Sequence, residues 1–379
     1  MKGIRLITIV SAMTVALASC VRSEEGLPEG ERPGREIVYS LAPVKVVTKG
    51  GNDAEEALTR AAGFTSFPAD SDFGTVAYYL PNGKTWSLAH SEADNYIDTE
   101  KISCENNVWK AWESGKTYYW PLAGNLTFFS WAPYNLTAHG LTVDKEGGLR
   151  IKGWTVKNEV GYGGSTNYGE EASDDGSVDI LTARTFDVSG GTTGSDGTSF
   201  SGSGVQILFS HALCKVRFLI STDYDDDKKN WTVEKVALRD IYTKADFSGG
   251  VWSNYSDPKD YVCEFSPVAG PLKAGEFTEI FSKTMMLPQP VNSSASRKPR
   301  IELTCWDGES YKDENGVKVE DKVVLTGILY SNNSEVLRWK ESTDITYHLY
   351  ISSGEGNYIE FDATTGAWDN GGGGDIEMK

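Results

Sequence analysis

Val205–Ile220 reads VQILFSHALCKVRFLI, the longest stretch of the chain this rich in β-branched and aromatic apolar residues. Leu208, Ala212, Val216, Phe218 and Ile220 share one face of a strand's two-residue period. Val205, Ile207, Phe209 and Leu213 share the other, until Lys215 and Arg217 turn it polar. A strand apolar on both faces at its start and on one face at its end is expected at the centre of a sandwich core. A helix is disfavoured by the β-branched residues and by the glycine-rich entry Ser201-Gly202-Ser203-Gly204. The stretch divides the chain into an N-terminal domain over 37–204 and a C-terminal domain over 205–379.

Outward from it, the pattern stays β on both sides. Upstream, Ser189–Gly204 is almost purely Ser, Gly and Thr, a linker or long loop, and Val178–Val188 (VDILTARTFDV) reads as a strand. Asn158–Asp179 is glycine-rich and acidic. Val108–Asn135 holds the densest aromatics: Trp109, Trp112, Tyr118, Tyr119, Trp120, Phe128, Phe129, Trp131 and Tyr134. Strands are expected at Tyr118–Trp120 and Leu126–Ala132, separated by the turn Gly124-Asn125. Such rings could form a stacking platform for sugars, but a sandwich needs large apolar payloads, so most are expected in the core. Phe73–Leu80 (FGTVAYYL) is a further strand, closed by Pro81-Asn82-Gly83. Gly83-Lys84-Thr85 resembles the end of a phosphate loop, but Tyr78 stands where that motif needs glycine. Ile37–Val47 is the first strand candidate, with Ile37, Tyr39 and Leu41 on one face, and Asp53–Leu58 has a short helical option. Downstream, strands are expected at Trp231–Ile241, Phe277–Leu287, Arg300–Trp306, Val317–Leu329, Ile345–Ser352 and Tyr358–Ala363. The charged run Asp223–Lys229 lacks the glycine and terminal glutamate of a calcium loop.

With 379 residues the chain exceeds a usual single domain, so two are expected. The net charge of −18 argues against nucleic acid, because phosphate binding needs a basic surface. Five cysteines include no CxxC pair, which removes zinc-ribbon and thioredoxin-type readings. Cys104, Cys214, Cys263 and Cys305 are even in number; they are compatible with disulfides outside the cytoplasm and equally with small buried apolar residues. The four histidines, His90, His139, His211 and His348, stand in no metal-binding motif, and no GxSxG or GxGxxG is present. His211 is expected to be a hydrogen-bonded core residue. The chain therefore reads as a non-enzymatic protein without metal or cofactor.

Residues 1–19 have the form of a secretory signal, with Lys2 and Arg5 before an apolar stretch too short to span a bilayer. It ends Leu17-Ala18-Ser19-Cys20, which resembles a bacterial lipobox and makes Cys20 the expected lipidation site. Acylation there would anchor the chain, since each buried methylene contributes about 0.8 kcal/mol. Residues 20–36 are an acidic tether: Glu24, Glu25, Glu29 and Glu31 alternate with Gly and Pro, leaving nothing to bury.

Several stretches together resemble the fimbrillin-like (Mfa-like) lipoproteins, subunits of type V pili in Gram-negative bacteria. They are the lipobox at Cys20, Thr59-Arg60-Ala61 with Phe67 and Phe73-Gly74, Tyr119-Trp120-Pro121 with Phe128–Pro133, and Asp179–Ala183 (DILTA). Further on come Phe209–Phe218 (FSHALCKVRF), Leu287-Pro288-Gln289, Trp339 with Tyr347–Ile351, and Ile359–Trp368. Cys214 departs from the pattern, where a serine is expected. The resemblance implies an all-β fold of two β-sandwich domains with transthyretin-like topology. It implies export as a lipoprotein to the outer membrane and cell surface, and proteolytic removal of the N-terminal segment at Arg60, leaving Ala61 first. Ile37, Tyr39 and Leu41 would then belong to an exchanged strand, and other pilus subunits would be the partners. Only eleven residues, Asp369–Lys379, follow Trp368, which suits a strand acceptor at a fibre tip better than a donor. The competing reading, a glycan-binding lipoprotein of a polysaccharide uptake system, shares the lipobox and tether but needs exposed aromatics on a concave face.

Overall fold

Phe73–Leu80 forms the strand its β-branched and aromatic residues favour, and alternation along it explains the architecture around it. Phe73 and Ala77 enter one hydrophobic core, while Val76, Tyr78 and Leu80 enter a second on the opposite face. Its neighbour Asn125–Ala132 repeats this: Leu126, Phe128 and Ala132 face the first core, Phe129 and Trp131 the second. A sheet covered on both faces needs strands apolar on both faces, and these two are.

The computed structural model describes residues 35–41, 67–163, 176, 178–190, 204–222, 230–292, 294, 297–329, 338–351 and 359–367. Cys20, the tether up to residue 34, Arg60, Ala61, the helical option at 53–58, the charged run 223–229 and Trp368 with the tail lie outside them. The strands are β1 (Tyr39–Leu41), β2 (Phe73–Leu80), β3 (Asp94–Glu105), β4 (Val108–Lys110), β5 (Asn125–Ala132), β6 (Leu141–Asp144), β7 (Gly148–Thr155), β8 (Leu181–Val188) and β9 (Val205–Ile207). They continue as β10 (Ser210–His211), β11 (Cys214–Thr222), β12 (Thr232–Ser248), β13 (Val251–Ala269), β14 (Thr278–Met286), β15 (Arg300–Lys312), β16 (Lys318–Ile328), β17 (Thr343–Ile351) and β18 (Ile359–Ala367). A single turn of helix, α1 (Trp86–Ala89), follows β2. The all-β class is as the sequence implies. No helix among the described residues is long and apolar enough to cross a membrane.

Three sheets result. The first has eight strands in the order β10-β8-β5-β2-β3-β4-β1-β9, the second four in the order β14-β11-β17-β18, and the third six, β16-β15-β12-β7-β6 with β13 on the free side of β12. The long strand β12 changes partners: Thr232–Arg239 pairs with β15, and Lys244–Ser248 pairs with β7. Val233, Val236, Leu238 and Ile241 accordingly enter a third core, while Ala245 and Phe247 enter the second. Strands expected in the C-terminal half are therefore present, but β12 runs past the expected end at Ile241.

Val205–Ile220 is not the single strand expected of it. It is split into β9, β10 and β11, which lie at one end of the first sheet, at the other end of the first sheet, and inside the four-stranded sheet. Val205, Ile207 and Phe209 enter the first core, Ala212 and Leu213 the second, and Cys214, Val216, Phe218 and Ile220 the third. The run reads as uninterrupted because it visits three cores in succession. Its one exposed apolar residue, Leu208 at 48%, marks the first break. Residues 205–211 thus pair with strands upstream of them, so sheet membership does not divide at 204/205.

The aromatic concentration at 109–134 lies largely in the interior. Trp109, Trp120, Phe128, Phe129 and Trp131 are buried, and Trp112, Tyr118, Tyr119 and Tyr134 are half-buried. Tyr118–Trp120 is extended without being a ladder strand; Trp120 N donates to Arg35 O at 2.8 Å. Phe128→Ala is expected to cost about 3–5 kcal/mol, because a fully buried ring leaves a cavity that its neighbours only partly fill. Chemical denaturation checks this, and an unchanged midpoint would show that the ring is not part of the core.

Candidate functional site

The three residues of β1 sit between two other strands. Tyr39 pairs with Trp109 of β4 antiparallel, and Tyr39, Ser40 and Leu41 pair with Val205, Gln206 and Ile207 of β9 in parallel. Ile37 N donates to Tyr118 O and Val205 N to Val38 O, each at 2.7 Å. Gly204, at φ +106°, lets β9 approach this closely: a Cβ there would lie 2.4 Å from Val38 O. One ion pair ties the strand's start, Lys110 Nζ to Glu36 Oε1 at 2.8 Å. Both groups are partly solvated, so its contribution is small.

Ile37 and Tyr39, two of the residues the sequence singles out, are buried, and Leu41 is half-buried against the same core. The Tyr39 ring meets Phe73 and Phe128 edge-on, with centroids 5.7 and 6.0 Å away. Burial pushes its phenol well above the ordinary range, and the nearby Glu100 carboxylate adds to the shift. Glu100 on β3 is itself buried, held by Lys116 Nζ at 2.7 Å and the Tyr118 hydroxyl at 2.6 Å. Glu100 escapes sequence reasoning, since one carboxylate among 54 acidic residues carries no signal, and Tyr118 is named there only as one ring of the aromatic run.

A second arrangement lies where the halves of the chain meet, and the sequence stretches quoted for the family resemblance converge on it. His211 Nδ1 hydrogen-bonds to Asp179 Oδ2, and both side chains are almost wholly buried. His211 is thus the core residue expected. Ser342 secures the next segment, with Oγ donating to His211 O at 2.8 Å and N to Leu213 O at 2.9 Å. Gln289 holds β12 where it changes partners: its Oε1 accepts from Tyr242 N at 2.9 Å, and its Nε2 donates to Tyr242 O at 3.0 Å. Tyr242 lies between the segments paired with β15 and β7, so the side-chain amide replaces an absent strand neighbour. Gln289 O in turn accepts from Trp339 N at 2.9 Å, and Trp339 Nε1 donates to the Tyr347 hydroxyl at 2.9 Å. Tyr347 stacks on Phe218 with centroids 4.7 Å apart. Residues of DILTA, FSHALCKVRF, LPQ and the Trp339/Tyr347 pair thus build one structural joint.

Cys104, Cys214, Cys263 and Cys305 are free thiols. Cys214 Sγ donates to Met286 O at 3.3 Å, and burial pushes the Cys305 thiol up to about 12. Such thiols are poor nucleophiles, because the thiolate is the reactive form. Among the described residues no group of three or more His, Cys, Asp or Glu side chains could hold a metal ion.

Residues 59–368 match the model of a family described as Fimbrillin-like. No curated protein matches the chain. Among solved structures, a fimbrial protein from Bacteroides vulgatus is 16% identical, with a TM-score of 0.57, covering 88% of this chain and 100% of that one. A C-terminally truncated tip fimbrial protein from Porphyromonas gingivalis is 10% identical, with a TM-score of 0.35, covering 79% of this chain and 94% of that one. At these identities the first likeness speaks for the fold alone, and the second adds no argument.

Proposed function

This chain belongs to the fimbrillin-like family, and we propose on that premise that it is a non-enzymatic structural and adhesive subunit of a surface pilus. It is exported as a lipoprotein through Cys20 to the outer membrane and surface, and assembles with other pilus subunits after cleavage following Arg60. The observation that carries this reading is β1, a three-residue strand seated between β4 and β9 with Ile37 and Tyr39 inserted in the first core. Its withdrawal would leave two strands with unpaired backbone groups over an open apolar slot. Such an edge is a strong template for a strand from another chain. Once the connection at Arg60 is cut, β1 is held only non-covalently, and an incoming strand has to displace it.

The same subunit gives a strand less readily than it accepts one. Its last described strand, β18, pairs along all nine residues with β17, from Thr343 opposite Ala367 to Ile351 opposite Ile359. Donating it would strip the edge of the four-stranded sheet. A tip position suits such a subunit. The aromatics at 109–134 support the pilus reading over the uptake reading, because Trp109, Trp120, Phe128 and Trp131 are buried in the cores and cannot form a concave sugar platform.

N-terminal sequencing and mass spectrometry of the protein in sheared fibres test the scheme. Ala61 as first residue is the expected result. An intact, acylated Cys20 in assembled fibres would overturn strand exchange.

A further inference from the structure

The turn joining β6 to β7 and the adjoining turn between β12 and β13, hydrogen-bonded through Gly249 N to Leu149 O at 3.0 Å, line a cleft of about 260 Å3 together with β8 and α1. Its apolar side is made by Trp86, Phe129 and Phe186. Phe129 is buried, whereas Trp86 and Phe186 are half-buried, packed on the second core yet lining the cleft. The Trp86 and Phe129 centroids are 5.3 Å apart and those of Phe129 and Phe186 6.0 Å, so the three rings form one surface.

Glycines in and beside these two turns help keep this surface open. Gly148 has φ +64° and Gly249 φ +58°, the left-handed region where a side chain is strained. A Cβ on Gly148 would also come within 2.8 Å of the Phe129 ring.

The other side of the cleft carries charge. Lys145 Nζ is held by backbone carbonyls, Ser91 O at 2.7 Å and Ala93 O at 3.3 Å, and Arg184 Nη1 donates to Gly249 O at 3.1 Å. Neither cation has a carboxylate partner among the described residues, in a chain whose net charge is −18. The one acid on the wall, Glu146, faces His90 at 3.8 Å. Guanidinium and ammonium groups anchored through carbonyls keep donors for an anion, and the guanidinium fork matches a carboxylate.

We propose that this cleft binds the terminal carboxylated sugar ring of an acidic glycan, with the carboxylate at Arg184 and Lys145 and the ring's C–H face against Trp86 and Phe186. Its volume lies just under the usual range of roughly 300–1,000 Å3 for small-molecule pockets, which suits one ring with the rest of the chain in solvent. The cleft is built on the second core and takes nothing from β1, so it goes beyond strand exchange and stands or falls separately from it.

Isothermal titration of the purified full chain with sialyllactose and with a galacturonate trisaccharide, against lactose, tests the assignment. At least one acidic probe is expected to bind with a dissociation constant on the order of 0.1–1 mM, and lactose at least about tenfold more weakly. Arg184→Gln is expected to weaken the acidic probe about tenfold or more at an unchanged melting temperature, since that side chain is exposed; Trp86→Ala should weaken it similarly if it folds. Binding of lactose as tight as the acidic probes, no binding of either acidic probe, or full binding by a folded Arg184→Gln chain would each overturn the proposal. Fibre assembly by Arg184→Gln is expected to match the wild type, which separates this result from the fate of the pilus reading.

Discussion

A chain carrying both Ile37→Ala and Tyr39→Ala is expected to lose its hold on β1. Removing a buried isoleucine side chain costs about 2–5 kcal/mol and removing a buried aromatic one about 3–5 kcal/mol. Both residues are 5% exposed or less, and Tyr39 packs on two rings of the first core. The combined loss exceeds what a three-residue ladder and one solvated ion pair retain, because net backbone hydrogen bonds contribute only about 0.5–1.5 kcal/mol each. The strand should therefore detach before the rest of the fold unfolds, and the measured loss in global stability should stop at the free energy of docking. Hydrogen exchange reads this directly. Val205 N, which donates to Val38 O, should exchange at a rate set by the open slot, while the amides of β2 and β5 stay protected. Unchanged protection at Val205 would mean that β9 does not depend on β1, and the slot account would fail.

Asp179→Ala is the second large effect. The carboxylate is buried with His211, and its removal leaves an imidazole without its acceptor inside a packed interior. Breaking such a pair costs about 3–5 kcal/mol, whereas replacing both members by apolar residues of similar size can be near neutral. His211→Leu should be comparably damaging, and Asp179→Leu with His211→Leu should be less damaging than the sum of its parts by at least about 1 kcal/mol. Denaturant titration of the four proteins closes the cycle. Additive losses would show that the two side chains act independently and that the joint does not rest on their contact.

Much of the fold was legible in the sequence. The all-β class, β2, β5, β8 and most C-terminal strands followed from two-residue alternation and turn residues, because a half-buried strand must repeat its apolar residues with the pleat. Ile37 and Tyr39 could be named as buried for the same reason. Other elements were not legible. In β3, Ile97 and Ile102 lie five residues apart, and a register shift opposite Ala77 puts both into the first core. No fixed period links them. In β13, Pro258, Pro267 and many charged residues resemble turns, but the strand lies on the free side of β12, where proline and charge are tolerated.

The amino-acid sequence by itself determined that the chain is built of strands and which faces of those strands are apolar. Only the tertiary structure decided how the segments were shared out. Whether Val205–Ile220 was one strand or three depended on where the cores lie, since any apolar residue satisfies any core. Likewise Asp179 met His211, Gln289 met Tyr242 and β9 met β1 through contacts between residues far apart in sequence, for which local periodicity carries no information.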